Sequence, residues 1–292
     1  MIDFCHISPT AFLPGYTASN GAHLLLAHLV EQDEEYRKYY GEAPEDGRVS
    51  GFNDGKYKIM DNSAFEMYKQ GRPMYSTDDL LPMAELCKAD MIVMSDYPGE
   101  PAQKTINACI ETAPIYKDAG YETFFVPQSQ IGDFDDYMYG MEWALNSDMV
   151  DRIGLSILGC PNAYGVEKDN KLQRYLSRWG ILRELEERGL LDDERAAKRF
   201  HCLGMVDGPN EIELLWPYVN NIATWDSSAA VWAGLNGIRF DNSPTGLING
   251  KFELEVDFDM GPSVSVDNNN DVMYNIDYIN KLCDGVRPND SV

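Results

Sequence analysis

Basic residues are scarce in this sequence: 24 Lys and Arg stand against 48 Asp and Glu among 292 residues, a formal charge of −24. That surplus favours solubility and opposes non-specific attraction to polyanions, so any nucleic-acid contact has to be local. Histidine is scarcer still, with 4 residues. His6 and His201 stand alone on expected strands and His23 and His28 share no helix face, so a histidine metal centre finds no support. The 6 cysteines are widely scattered, the nearest two being Cys87 and Cys109. This excludes CxxC zinc pairs and a disulfide scaffold, and it leads us to expect reduced, buried thiols in a cytoplasmic protein. No apolar run approaches the roughly 18 residues of a membrane span; the run over 22–30 carries two histidines. The opening Met1-Ile2-Asp3-Phe4 has no basic segment leading into an apolar stretch, so no signal peptide is expected. Neither GxGxxG nor GxxxxGK[ST] occurs, which removes the Rossmann and P-loop readings.

What is present is a globular composition, 44% hydrophobic and 25% charged, ample for a packed core. Short apolar, β-rich runs fall at 2–7, 57–60, 91–94, 123–126, 152–158, 200–206 and 221–225. Several are almost continuously apolar, as strands buried on both faces of a parallel sheet should be. Helical patterns lie between them, at 23–40, 78–88, 101–119, 133–146, 171–188 and 209–219. Strand alternating with helix in about 250 residues points to an α/β protein of the TIM (β/α)8-barrel type. The weak point is the last strand required: either 237–240 supplies it or an N-terminal hairpin closes the barrel. Residues 1–250 are expected to form the catalytic barrel. Residues 251–292 are expected to form a C-terminal appendage packed on it, with an alternating strand at 252–259 and a turn at 267–271.

Chemistry in such a barrel sits at the C-terminal ends of the strands. Asp61, Asp96 and Asp226 each follow or end an apolar run, and Gln128 follows another. A single aspartate there is often no more than a helix N-cap. Three of them with a glutamine at corresponding ends, and no histidine or cysteine companion, point to cation binding or to covalent chemistry at an anomeric carbon.

Taken in order, the strand-end segments resemble the tRNA-guanine transglycosylase superfamily over 57–237. Met60-Asp61-Asn62-Ser63-Ala64-Phe65-Glu66 is similar to that family's Asp-Ser-Gly-Gly-Phe-Gln, whose aspartate is the general acid/base. Met94-Ser95-Asp96 resembles the segment whose aspartate binds the base. Val126-Pro127-Gln128 resembles Val-Gln-Gly-Gly with an inserted proline, and Gln130 is the fallback for the base-reading glutamine. Ile153-Gly154-Leu155-Ser156 parallels the segment that lends backbone N–H groups to the base, and 200–207 parallels the strand written Tyr-Leu-Met-Gly-Val-Gly. Trp225-Asp226-Ser227 through Gly234-Leu235-Asn236-Gly237 is similar to Phe-Asp-Cys…Gly-Arg-Asn-Gly, which carries the nucleophile.

The resemblance implies Asp226 as nucleophile, Asp61 as acid/base, and Asp96, Gln128, Gly154, Leu155 and Ser156 as base-binding residues. Phe65, Tyr97 and Trp225 are candidates to stack on the base. No cofactor and no metal is implied. The departures matter as well. The family's Cys-x-Cys-x-x-Cys and His zinc module is missing after Asp226, the arginines expected over 227–236 are absent, and Leu155 replaces a glycine. This resembles the short, zinc-free paralogues that place 7-deazaguanines in DNA, many of them viral. The expected partners are therefore DNA and a free guanine or 7-deazaguanine base, without a membrane, in the cytoplasm or the host's cytoplasm. The alternatives are the same exchange on tRNA, a metal-dependent barrel hydrolase using Asp61, Asp96 and Asp226 as ligands, or a binding protein that retains the pocket. Lys171, Arg174 and Arg178, three and four apart, are expected to share a helix face and track phosphates against the acidic background.

Overall fold

The computed structural model describes residues 1–191, 200–205, 208–247, 257–261 and 263–286. Eight strands make one parallel sheet: β1 (Asp3–His6), β2 (Ala22–Leu26), β3 (Tyr57–Asp61), β4 (Met91–Val93), β5 (Glu122–Phe125), β6 (Arg152–Ser156), β7 (Phe200–Leu203) and β8 (Ile222–Ser227). Their order, β1-β8-β7-β6-β5-β4-β3-β2, joins the first strand to the last and rolls the sheet into a TIM-type barrel with helices outside. The α/β barrel class expected from the alternation of elements is the class observed.

The seam between β1 and β2 carries no regular ladder, and substitutes close it. The Gly21 N–H donates to the Phe4 carbonyl at 3.0 Å. The Asn20 amide spans the His6 backbone, accepting from its N–H at 3.0 Å and donating to its carbonyl at 3.3 Å. A Cβ on Gly21 would lie 2.8 Å from the Asp3 side chain, so the two strands approach this closely only at a glycine.

The missing strand is β2, and this corrects two expectations. Residues 237–240 form no strand, and no N-terminal hairpin closes the barrel. The pattern read as one helix over 23–40 divides into β2, a short helix Ala27–Gln32 and a helix Glu34–Gly41. Every residue of β2 is buried, so the run shows no alternation, and its leucines favour a helix locally. Asp33 separates the two helices by accepting from the N–H groups of Glu35 and Tyr36.

The C-terminal region brings a second correction. Residues 267–271 are the first turns of a helix, Val266–Cys283, and not a turn. Ser265 caps it by accepting from the Asn268 N–H, and Val272, Ile276, Ile279 and Cys283 form its buried stripe. The expected strand at 252–259 falls mostly outside the described residues. This helix lies on the helix Ala229–Leu235 so closely that a Cβ on Gly234 would come within 2.3 Å of the Val272 nitrogen.

The basic stripe is the third correction. Lys171 is exposed and Arg174 half-buried, but Arg178 is wholly inside. It donates to the carbonyls of Leu155 at 2.9 Å, Gly204 at 3.0 Å and Leu203, and pairs with buried Glu211 at 3.2 Å. Its spacing from Lys171 is the same whether that part of the helix Lys171–Glu187 faces water or the sheet. Here it faces the sheet. Arg178 therefore tracks no phosphate.

Two stability outcomes follow. Replacing Glu211 with alanine leaves Arg178 buried without its counter-ion and should cost about 3–5 kcal/mol in denaturant unfolding. Gly234→Ala should lower the melting temperature by pushing the two C-terminal helices apart, a loss of about 1–3 kcal/mol. An unchanged midpoint in either variant would contradict the packing described.

Candidate active site

A cavity of about 830 Å³ opens at the C-terminal ends of the strands, and five of the expected site residues line it: Asp61, Asp96, Gln128, Ser156 and Asp226. Asp61, Ser156 and Asp226 lie on β3, β6 and β8, and Asp96 and Gln128 in the segments that follow β4 and β5, the arrangement this barrel uses to gather side chains that are remote in sequence.

On one wall stands Asp226, on β8. Alternation along β8 turns Thr224 and Asp226 to the barrel interior, and Trp225 to the outside. The Asp226 Oδ1 accepts from the Gly204 N–H at 3.1 Å and lies 2.9 Å from His201 Nε2. His201 was read as a solitary strand histidine. The sequence separation from Asp226 hid the pairing, and only adjacency of β7 and β8 reveals it. Burial lowers the proton affinity of His201, with Asp226 opposing that shift.

On another wall lies Asp61, the last residue of β3. Burial raises its pKa well above the carboxylate range, and the negative fields of Glu66, Asp226 and Asp96 push the same way against one hydrogen bond from the Ser63 N–H at 3.0 Å. Asp61 is therefore disposed to hold a proton at neutral pH. Glu66 also lines the cavity, with its pKa raised to about 7, first by burial and then by Asp226. It appeared in the sequence only as a motif position without a role.

The strand-to-helix turn after Asp61 is tight. Ser63 takes a left-handed conformation, φ 55°, which an L-residue adopts at a cost. Its buried hydroxyl offsets that cost by accepting from the His28 N–H at 3.2 Å and meeting His28 Nδ1 at 3.0 Å. The contact ties the end of β3 to the helix after β2. His28 itself reaches the cavity and, chiefly through burial, has its pKa lowered to about 4.

A polar wall joins the two sides. Asp96 accepts from the Gln128 Nε2 at 2.7 Å and the Asn62 Nδ2 at 2.9 Å. Burial raises its pKa to about 6, with both amide donors opposing. Gln128 Oε1 is buried without a partner among the described residues, an acceptor held ready for a donor in the cavity. Gln130, the fallback, is exposed. Asn62 was missed as a site residue. Its signal was its place directly after Asp61.

Gly154 and Leu155 do not reach the cavity. Gly154 is covered by Phe124, Val126 and Leu203, and the Leu155 carbonyl is taken by Arg178. Ser156 lines the cavity, but its hydroxyl accepts from the Leu158 and Gly159 N–H groups. Of the three stacking candidates Phe65 lines the mouth, whereas Trp225 is buried on the outer face of β8, where its indole N–H donates to Gly204. Tyr97 does not line the cavity, and lies under the Lys104 ammonium. Among the described residues, no group of three or more His, Cys, Asp or Glu side chains is placed to hold a metal ion.

Strand order, parallel register and the site's position define a protein of the TIM-barrel class. No family model matches the chain, and no curated protein does. Among solved structures it is similar to triosephosphate isomerase from Bartonella henselae, at 14% identity and a TM-score of 0.42, over 79% of this chain and 94% of that one.

The elevated pKa of Glu66 has a thermodynamic consequence. Its folded value, about 7, exceeds its ordinary 4.5, so between these values the folded chain holds a proton the unfolded chain releases. Stability from this group is present below about pH 4.5 and lost as pH rises through about 7. Glu66→Gln should therefore reduce the fall in melting temperature between those two pH values. A parent and variant with parallel profiles would refute the burial of this carboxyl.

Proposed function

We propose that this chain is a base-exchange transglycosylase that replaces guanine in DNA with a 7-deazaguanine, related to 7-cyano-7-deazaguanine, through a covalent aspartyl–sugar intermediate. The observation that carries the reading is the division of labour between two carboxyl groups facing one cavity. Burial disposes Asp61 to hold a proton, and Asp226 has one oxygen engaged by His201 and the Gly204 N–H. One-step exchange at an anomeric carbon would invert it. Two displacements through a carboxylate retain it.

The chemistry then follows in order. The target guanine leaves the base stack, at a cost of a few kcal/mol, and enters the cavity. An Asp226 oxygen bonds to C1′ as the bond from C1′ to the purine nitrogen breaks. The electron pair of that bond goes to the purine, which takes the proton of Asp61. Guanine departs, and a 7-deazaguanine enters. Its ring nitrogen gives a proton to Asp61 and bonds to C1′, releasing Asp226. Protons and electrons balance over the cycle, and no cofactor is consumed.

Asp96 and Gln128 read the base edge, and Asn62, whose amide is engaged by Met94, Asp96 and Ala64, holds Asp96 in place. The unpartnered Gln128 Oε1 accepts from a base N–H, and a ligand without that donor would leave a buried polar atom unpaired. Phe65 stacks at the mouth. The left-handed Ser63 also supports the family resemblance, since the similar segment places glycine at that position. With Arg178 buried, the DNA backbone is held by cations nearer the opening, where Lys69 lines the cavity.

The test is incubation of the purified protein with DNA or with tRNA and isotopically labelled guanine or 7-cyano-7-deazaguanine, followed by mass spectrometry of the nucleosides. Label in DNA is the expected result. Label confined to tRNA would move the substrate to RNA, and label in neither would overturn the reading. Asp226→Asn, shown folded by circular dichroism, should abolish exchange, and Asp61→Asn should slow it about 10²–10⁴-fold.

A further inference from the structure

We infer that Arg152, Thr224 and His201 form an ordered hydrogen-bond relay that fixes the rotation of the Asp226 carboxylate and presents its Oδ2 to the cavity. His201 and Thr224 are positioning residues in this scheme, which rests on the reading of Asp226 as the reactive carboxylate. The relay runs inside the barrel. Arg152 Nη1 lies 3.0 Å from Thr224 Oγ1, Thr224 Oγ1 lies 2.6 Å from His201 Nδ1, and His201 Nε2 lies 2.9 Å from Asp226 Oδ1.

The proton directions follow from the two ends of the relay. A guanidinium donates and never accepts, so Thr224 Oγ1 must accept from Arg152. At the other end Asp226 Oδ1 already accepts the Gly204 N–H, so His201 Nε2 donates to it, and a ring with a single proton leaves Nδ1 to accept the Thr224 hydroxyl proton. That nitrogen is then the bare acceptor, and the imidazole proton resides on Nε2, from which it donates to Asp226. A doubly protonated imidazole would aim a second N–H at Thr224 and leave its buried hydroxyl proton without an acceptor. Burial of His201 opposes that form as well. The Asp226 carboxylate thus receives the His201 Nε2–H and the Gly204 N–H on the same oxygen. Among the described residues its Oδ2 receives no donor, and we assign the attack to that oxygen.

Strand geometry makes the relay possible. Alternation places Thr224 and Asp226 on one face of β8. Between Phe200 and His201 the β7–β8 register slips: Phe200 pairs with Ile222, but His201 pairs with Thr224. The irregularity skips one residue and sets His201 opposite Thr224, with its ring reaching on to Asp226. Bulges beside active sites re-aim side chains in this way. The Phe124 ring meets the imidazole edge at 5.3 Å and limits its rotation.

Two measurements test the inference, one of them independent of any reaction. In protein labelled with ¹⁵N-histidine, long-range ¹H–¹⁵N correlation reports which ring nitrogen of His201 carries the proton, with the resonance assigned by its loss in His201→Gln. The expected pattern is bare Nδ1 and protonated Nε2, kept in Thr224→Ser and lost in Thr224→Val. A proton on Nδ1 in the parent would overturn the relay. In the exchange assay, Thr224→Val should lower kcat about tenfold to a hundredfold at nearly constant KM, and Thr224→Ser should restore it. A folded Thr224→Val with parental kcat would likewise overturn it. If the parent exchanges no base at all, the transglycosylase reading fails while the tautomer measurement still decides the relay.

Discussion

Gly204 is the residue on which scaffold and site both depend. Its carbonyl accepts from the Arg178 guanidinium and from the Trp225 indole, and its N–H donates to Asp226. The rigid Leu203–Gly204 amide, which takes Arg178 on its carbonyl and gives its N–H to Asp226, couples a helix outside the barrel to the carboxylate within it. The residue is a glycine with φ 69°, a conformation that costs a side-chain-bearing residue energy. Arg178 can be buried only because Glu211 and three carbonyls satisfy its donors. Loss of any partner would leave a charge or a donor stranded in a low-dielectric interior.

The three aspartates of the cavity have different surroundings. Asp61 has one hydrogen bond and several negative neighbours, so desolvation wins and the carboxyl keeps its proton. Asp226 has two donors on one oxygen. Asp96 is pulled up by burial and down by two amides. Three residues of one type thus acquire three characters from their surroundings. Environments that separate the protonation of paired carboxyls are how acid and nucleophile coexist near neutral pH.

The large negative charge and a polyanionic partner are compatible only if contact is confined to the neighbourhood of the cavity. The loss of Arg178 as a surface cation sharpens that requirement. In the proposed exchange, the nucleic acid is drawn in by recognition of an extruded base at a polar wall with one unpartnered acceptor, Gln128 Oε1, with little help from long-range attraction. Affinity of that kind resides in the pocket and depends weakly on salt.

The sequence by itself determined the barrel class, because apolar runs alternating with amphipathic stretches have one economical packing, and it brought Asp61, Asp96, Gln128 and Asp226 to attention because they end those runs. Tertiary structure decided the rest. Local pattern cannot distinguish a strand buried on both faces from a buried helix, so β2 was hidden in Ala22–Leu26. Spacing along a helix gives a face but not which side that face meets, so Arg178 went from surface to core. His201 and Asp226 meet only because β7 lies beside β8 with a slipped register, a relation no local window contains. Periodicity is a property of neighbours in sequence, whereas pairing, burial and protonation are set by neighbours in space.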